Sequence, residues 1–160
     1  MLVAVDPTGV ITGFGFSAAS TTDQQVAETF FALRHRPNPR LPSVGSAGAG
    51  SYVTDKGFEG EENHRRWLDL YGARVIHPPK RNSRKPWPKR LRRWVGSIRQ
   101  IVETVYDKIF NTFGLYQERP HGLGGLRARL AARVALHNFC MWLNQQLGRP
   151  RLAFVDLLGW

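Results

Sequence analysis

Between Asp69 and Glu103 the chain carries no acidic residue and ten cations: Arg74, Lys80, Arg81, Arg84, Lys85, Lys89, Arg90, Arg92, Arg93 and Arg99. Pro78, Pro79, Pro86 and Pro88 hold part of this stretch out of helix, because proline fixes φ and donates no N–H. Trp87 and Trp94 stand among the cations. Like charges so close together repel one another unless an anionic partner neutralises them. Residues 78–93 therefore read as a basic loop, with a polyanion as its natural partner. The alternative reading of the same residues is a solvated basic loop with no partner. The chain as a whole has a net charge of +11.

With 160 residues, 42% of them hydrophobic and 11% aromatic, the chain can build one domain with a real core. Its one cysteine, Cys140, lies in an apolar run with Leu136, Phe139, Met141, Trp142 and Leu143, so it reads as a small core hydrophobe. An internal disulfide or a cysteine-based zinc site is excluded. There is no run of about 18 apolar residues and no signal-peptide pattern, which points to a soluble protein of a reducing compartment and away from membranes.

Periodicity and punctuation give the order of elements. Residues 2–5 and 10–16 are expected strands, joined by Asp6-Pro7-Thr8-Gly9 in hairpin chemistry. Ser20-Thr21-Thr22-Asp23 offers a helix cap before residues 25–33. Residues 36–50, rich in Pro, Gly, Ser and Ala, read as a loop, and residues 51–54 as a short strand ending at Asp55-Lys56-Gly57. A helix over 61–71 closes at Gly72, and residues 73–76 form another strand. After the basic loop, apolar positions 94, 95, 98, 101, 102, 105, 109 and 113 trace one face of a long helix, with Glu103 at its margin. A last helix runs over about 126–147, and the apolar tail 149–160 is expected to dock. Such an order fits an α/β fold, a mixed sheet flanked by helices, with Asp55 at the C-terminal end of a strand, where open sheets collect functional groups. Taken alone, Asp55 is equally a turn residue, and Glu103 half of a surface ion pair with Arg99.

Thr54-Asp55-Lys56-Gly57-Phe58 resembles the strand end around the second aspartate of DDE transposases of bacterial insertion sequences. Arg99-x3-Glu103 resembles the signature around their catalytic glutamate. Leu126-Arg127-Ala128-Arg129-Leu130 through Ala135-Leu136-His137-Asn138-Phe139 is similar to the helix that follows, and Gly9 to Phe14 is similar to their central hairpin. The resemblance implies an RNase H-like fold, two Mg²⁺ (or Mn²⁺) ions, and Asp55 and Glu103 as metal-binding catalytic residues. It also implies DNA, both transposon ends and target, as partner, a homo-oligomer in the complete enzyme, and a bacterial cytoplasmic location.

The chemistry asks for such ligands independently. Breaking a phosphodiester and joining the freed hydroxyl to new DNA needs an activated oxygen, a stabilised leaving oxygen and charge compensation, all supplied by two Mg²⁺ ions about 3.5–4 Å apart. Mg²⁺ prefers hard oxygen ligands. The five histidines (His35, His64, His77, His121, His137) show no zinc-ligand spacing.

Two departures from the family pattern stand out. Only two strands precede the first helix where an RNase H-like sheet has three, so Asp6 reads as a turn residue and the first strand, with the first aspartate, as lying upstream of Met1. The signature's flanking Tyr and Lys positions are Gly96 and Phe110, with Lys108 the nearest cation to the second. Residues 1–148 are thus expected to be a partial catalytic domain, inactive alone. Asp55 and Glu103 would be its metal ligands, and Arg81, Arg84, Lys85, Lys89, Arg90, Arg92, Arg93 and Arg99 its DNA contacts. The alternatives are a non-catalytic basic nucleic-acid-binding protein and an RNase H-like nuclease.

Overall fold

The structure, a computed structural model, describes residues 1–18, 20–35, 50–79, 86–117 and 119–158. Most of the loop expected at 36–50, and Arg81, Arg84 and Lys85 of the basic stretch, lie outside these residues. Mixed α/β is the observed class, with a hairpin pair β1 (Leu2–Val5) and β2 (Ile11–Gly15) and a parallel pair β3 (Gly50–Val53) and β4 (Ala73–Ile76). Among the described residues these are two separate two-stranded sheets, not one continuous mixed sheet. The chain divides into two compact units, one of residues 1–2 and 14–99, the other of residues 3–13 and 100–160.

In the first unit, α1 (Asp23–His35) starts with a reciprocal cap. The Gln25 N–H donates to Thr22 Oγ1 at 3.3 Å and the Thr22 N–H to Gln25 Oε1 at 3.1 Å, which satisfies two amides the helix cannot. Parallel pairing of β3 and β4, Gly50 opposite Ala73 through Val53 opposite Ile76, requires a crossover, and α2 (Glu61–Tyr71) supplies it. Gly72 ends α2 in the left-handed region, φ 62°, returning its N–H to the carbonyls of Leu68 and Trp67. Ala27, Phe31, Trp67 and Ala73 form the core, with Phe31 4.9 Å from Tyr52 and 5.5 Å from Trp67 between ring centres.

In the second unit the hairpin turn is built around Asp6. Its Oδ1 accepts from the Thr8 N–H at 2.8 Å, the Thr8 hydroxyl at 2.7 Å and the Val10 N–H at 3.0 Å. Burial pushes this carboxyl up, but its hydrogen bonds to Thr8, Val10 and Gly9 outweigh burial and hold it below the ordinary aspartate value. Gly9 takes φ 100°, and a Cβ there would meet Leu152 Cδ2 at 3.3 Å, so both conformation and space call for glycine. The edge of β2 is not bare. Asn138 of α4 (Leu123–Gln146) accepts the Ile11 N–H at 2.9 Å and donates to the Ile11 carbonyl at 2.9 Å, as a neighbouring strand would.

The apolar tail docks against α4. Phe154 is fully buried with Phe113, Cys140 and Met141, and the Asn144 amide donates to the carbonyls of Arg151 and Ala153 at 3.2 and 2.9 Å. A short helix, α5 (Val155–Leu158), follows. His137 lies in the same core, its ring 5.2 Å from Phe154 and 6.4 Å from Phe113, with neither ring nitrogen hydrogen-bonded. Burial pushes its pKa down to about 4, so the imidazole is neutral.

α3 (Lys89–Asp107) begins five residues earlier than the apolar stripe suggests, so Lys89, Arg90, Arg92 and Arg93 are helical and not part of a loop. Pro88 makes this possible: its carbonyl accepts the Arg92 N–H at 3.1 Å, and a proline at the helix start has no amide to leave unpaired. At its far end α3 widens into a π turn, Lys108–Thr112, closed by the Phe113 N–H on the Lys108 carbonyl at 2.9 Å. No helix among the described residues is long and apolar enough to cross a membrane.

Candidate functional site

Asp55 follows the last residue of β3 by two positions, at the strand's C-terminal end. The Thr54 N–H donates to the Ile76 carbonyl at 2.9 Å, extending the β3–β4 pairing up to the aspartate. From there a single 3-10 turn, Lys56–Phe58, leads away, and Asp55 caps it: its Oδ1 accepts the Lys56 N–H at 2.6 Å. That turn is anchored by Gln24 of α1, whose amide donates to the Glu59 carbonyl at 3.0 Å and accepts from Asn63 at 3.0 Å. The Asp55 side chain remains 62% exposed, and among the described residues its Oδ2 makes no hydrogen bond. Asp55 is thus a cap, as the turn reading expects, and its second carboxylate oxygen is left without a hydrogen bond among the described residues.

Arg99 meets this aspartate. Its guanidinium lies 3.7 Å from Asp55 Oδ1 with 41% of the side chain exposed, so the pair is worth little as a stabilising contact, about 0–1 kcal/mol. Its significance is positional, since the local partner of Arg99 by helical spacing is Glu103, one turn further along α3. Among the described residues Glu103 is exposed and enters no ion pair or hydrogen bond. The structure thus joins Asp55 to Arg99 and leaves the Glu103 carboxylate uncommitted. Its oxygens and those of Asp55 are hard donors that suit Mg²⁺ or Mn²⁺. No group of three potential metal ligands is assembled among the described residues.

Asp6 is engaged in the hairpin turn, which occupies its Oδ1 three times over, as expected of a turn residue. Lys108 is likewise engaged: it belongs to the π turn, and its Nζ sits 6.0 Å over the Phe154 ring.

The described cations of the basic stretch are exposed at the N-terminus of α3, where Lys89, Arg90, Arg92 and Arg93 occupy the first turns. No acidic residue offsets them there, and the helix dipole adds its own positive end. Four cations at that end disfavour the helix unless an anion sits beside them. Pro88, Arg90, Leu91 and Trp94 line an open cleft of about 350 Å³, with Trp94 46% exposed. Arg90 and Trp94 are one helical turn apart, so a cation and an aromatic face stand side by side.

A sequence model of the transposase DDE domain family matches residues 1–139, and the chain belongs to that family. Its mixed α/β structure is consistent with an RNase H-like DDE domain. Membership implies a DNA substrate, and the family generally uses divalent metal ions. No curated protein and no solved structure matches the chain.

Proposed function

We propose that this chain carries the second aspartate and the glutamate, Asp55 and Glu103, of a metal-dependent centre that cuts and transfers the DNA strands of a bacterial insertion sequence. The observation that carries the reading is the Asp55–Arg99 contact, because it brings together two motifs far apart in sequence, each of which resembles a transposase signature. A surface arginine with an acidic neighbour one turn away has no local reason to reach for a distant aspartate.

In this reading Asp55 and Glu103 would hold divalent ions, whose chemistry would be to activate an oxygen nucleophile and compensate charge at phosphorus. The first aspartate is contributed by a strand preceding β1, since Asp6 is committed to its turn. Arg99 orients Asp55, and its guanidinium, partly exposed beside that carboxylate, would be placed to contact phosphate. Lys89, Arg90, Arg92 and Arg93 hold the DNA backbone at the α3 N-terminus, where dipole and side chains attract phosphate together. Arg81, Arg84 and Lys85, which precede them in the sequence, are further DNA contacts in this reading.

The test is a strand-cleavage assay with Mg²⁺ on a duplex bearing the element's ends. It compares this chain with a version lengthened upstream to include the expected first strand. The longer version should cleave, and Asp55→Asn or Glu103→Gln should each lower its rate by on the order of a hundredfold or more. The chain by itself should not cleave. Cleavage by the short chain that Asp6→Asn abolishes would make Asp6 the first ligand and overturn the strand assignment.

A further inference from the structure

His64 and His77 are too far apart in sequence to suggest a shared site, but the fold brings their rings to 5.0 Å between centres, tilted by 55°. His64 stands in the first turn of α2 and His77 directly follows β4, and both are half-buried. Each ring has one nitrogen committed to a backbone carbonyl. His64 Nε2 contacts the Phe58 carbonyl at 2.5 Å and His77 Nδ1 the Pro78 carbonyl at 3.2 Å. A carbonyl oxygen only accepts, so those two nitrogens carry the protons. His64 Nδ1 and His77 Nε2 are then left as lone-pair donors.

Metal-binding histidines share this hydrogen bond: one nitrogen donates to a backbone oxygen, which fixes the tautomer and the ring, and the other nitrogen is left for the ion. The ring separation agrees. With a metal–nitrogen distance of about 2.0–2.1 Å and the ring centre ~1.1 Å behind the nitrogen, two imidazoles on one tetrahedral ion have centres about 5.2 Å apart. We propose that His64 and His77 form a two-imidazole site for a borderline divalent cation of the zinc type, separate from the hard-oxygen carboxylates Asp55 and Glu103. No third protein ligand joins them among the described residues, so water fills the remaining positions and the ion exchanges. A bound ion ties the start of α2 to the end of β4. The Ile76 carbonyl that accepts the Thr54 N–H precedes His77 directly, so the tie lies beside the strand end that carries Asp55. Imidazole pairs favour zinc, cobalt and nickel, whereas Mg²⁺ requires oxygen, so the two sites separate by metal type.

The experiment is a calorimetric titration of the full chain with Zn²⁺ in millimolar Mg²⁺, together with ¹⁵N spectra of the histidine rings. One binding event is expected, which Mg²⁺ does not displace, and Zn²⁺ should shift His64 Nδ1 and His77 Nε2 selectively. His64→Ala and His77→Ala should each weaken binding about tenfold or more, while His121→Ala, at an exposed site elsewhere, leaves it unchanged. His64 also holds the Phe58 carbonyl, and its loss could unfold the first unit; His77→Ala, whose ring bonds only its neighbour's carbonyl, gives the cleaner result. Zinc affinity unaltered in His77→Ala, or ring shifts on the opposite nitrogens, would overturn the site.

Discussion

Replacing His137 with phenylalanine should remove an acid-sensitive step from the stability of the second unit. The imidazole is fully buried among Phe113, Phe154 and Cys140, its nitrogens have no partners, and burial pushes its pKa down to about 4 from an ordinary value of 6.5. The folded pKa is therefore the lower one. Between pH 6.5 and 4 the unfolded chain binds a proton that the folded chain refuses, so stability falls as pH falls through this window. Above pH 6.5 there is no effect. A gap of roughly 2.5 pH units at about 1.36 kcal/mol each amounts to a loss of about 3 kcal/mol by pH 4. Phenylalanine is larger, and overpacking costs about 1–3 kcal/mol, but that penalty is the same at every pH. Urea unfolding followed by circular dichroism from pH 7.5 to 4.5 measures both chains, and their difference removes the carboxylates they share. The variant should gain on the wild type steadily below pH 6.5. Parallel stability curves across that range would show that His137 is protonated in the folded state or is not buried.

Asp6→Ala should cost about 1–2 kcal/mol in the same unfolding experiment, because three hydrogen bonds to a partly exposed carboxylate are lost together. Since the folded carboxyl lies below its ordinary value, that contribution is fully present at neutral pH and fades as pH falls below about 4. Asn138→Ala should free both the N–H and the carbonyl of Ile11, cost about 2 kcal/mol, and speed hydrogen exchange at Ile11. Duplex DNA binding should weaken with salt, and the combined change of Lys89, Arg90, Arg92 and Arg93 to alanine should flatten log affinity against log salt by about 0.9 per phosphate contact removed. An unchanged slope would take the α3 N-terminus out of the interface.

Features written in consecutive residues were legible. Gly72 closes α2 because a left-handed residue is needed there, and the turn at Asp6 to Gly9 follows from side chains two to four positions apart. The onset of α3 was not legible, since prolines and repelling cations both argue for a loop. What decides it is one carbonyl of Pro88 and the half-buried Leu91, which carries the apolar stripe of Val95 and Ile98 back towards Lys89. At the candidate site, local motifs suggest Asp55 and Glu103 as candidates, but the partner of Arg99 could not be read, because helical spacing offers Glu103 and the fold selects Asp55. Asn138 on β2 and the His64–His77 pair are long-range contacts whose residue types carry no local signal.

Iron-mediated cleavage of the protein backbone tests the central claim most directly, because it locates a metal without requiring catalysis. Fe²⁺ taking the position proposed for Mg²⁺, with ascorbate and peroxide, generates radicals that cut the chain next to the ion. Cuts are expected beside both Asp55 and Glu103. Excess Mg²⁺ should suppress them, and Asp55→Asn should remove the cuts at Glu103 as well as its own. Cuts confined to one of the two segments, or cuts at Glu103 that persist in Asp55→Asn, would mean that these carboxylates do not share a metal centre.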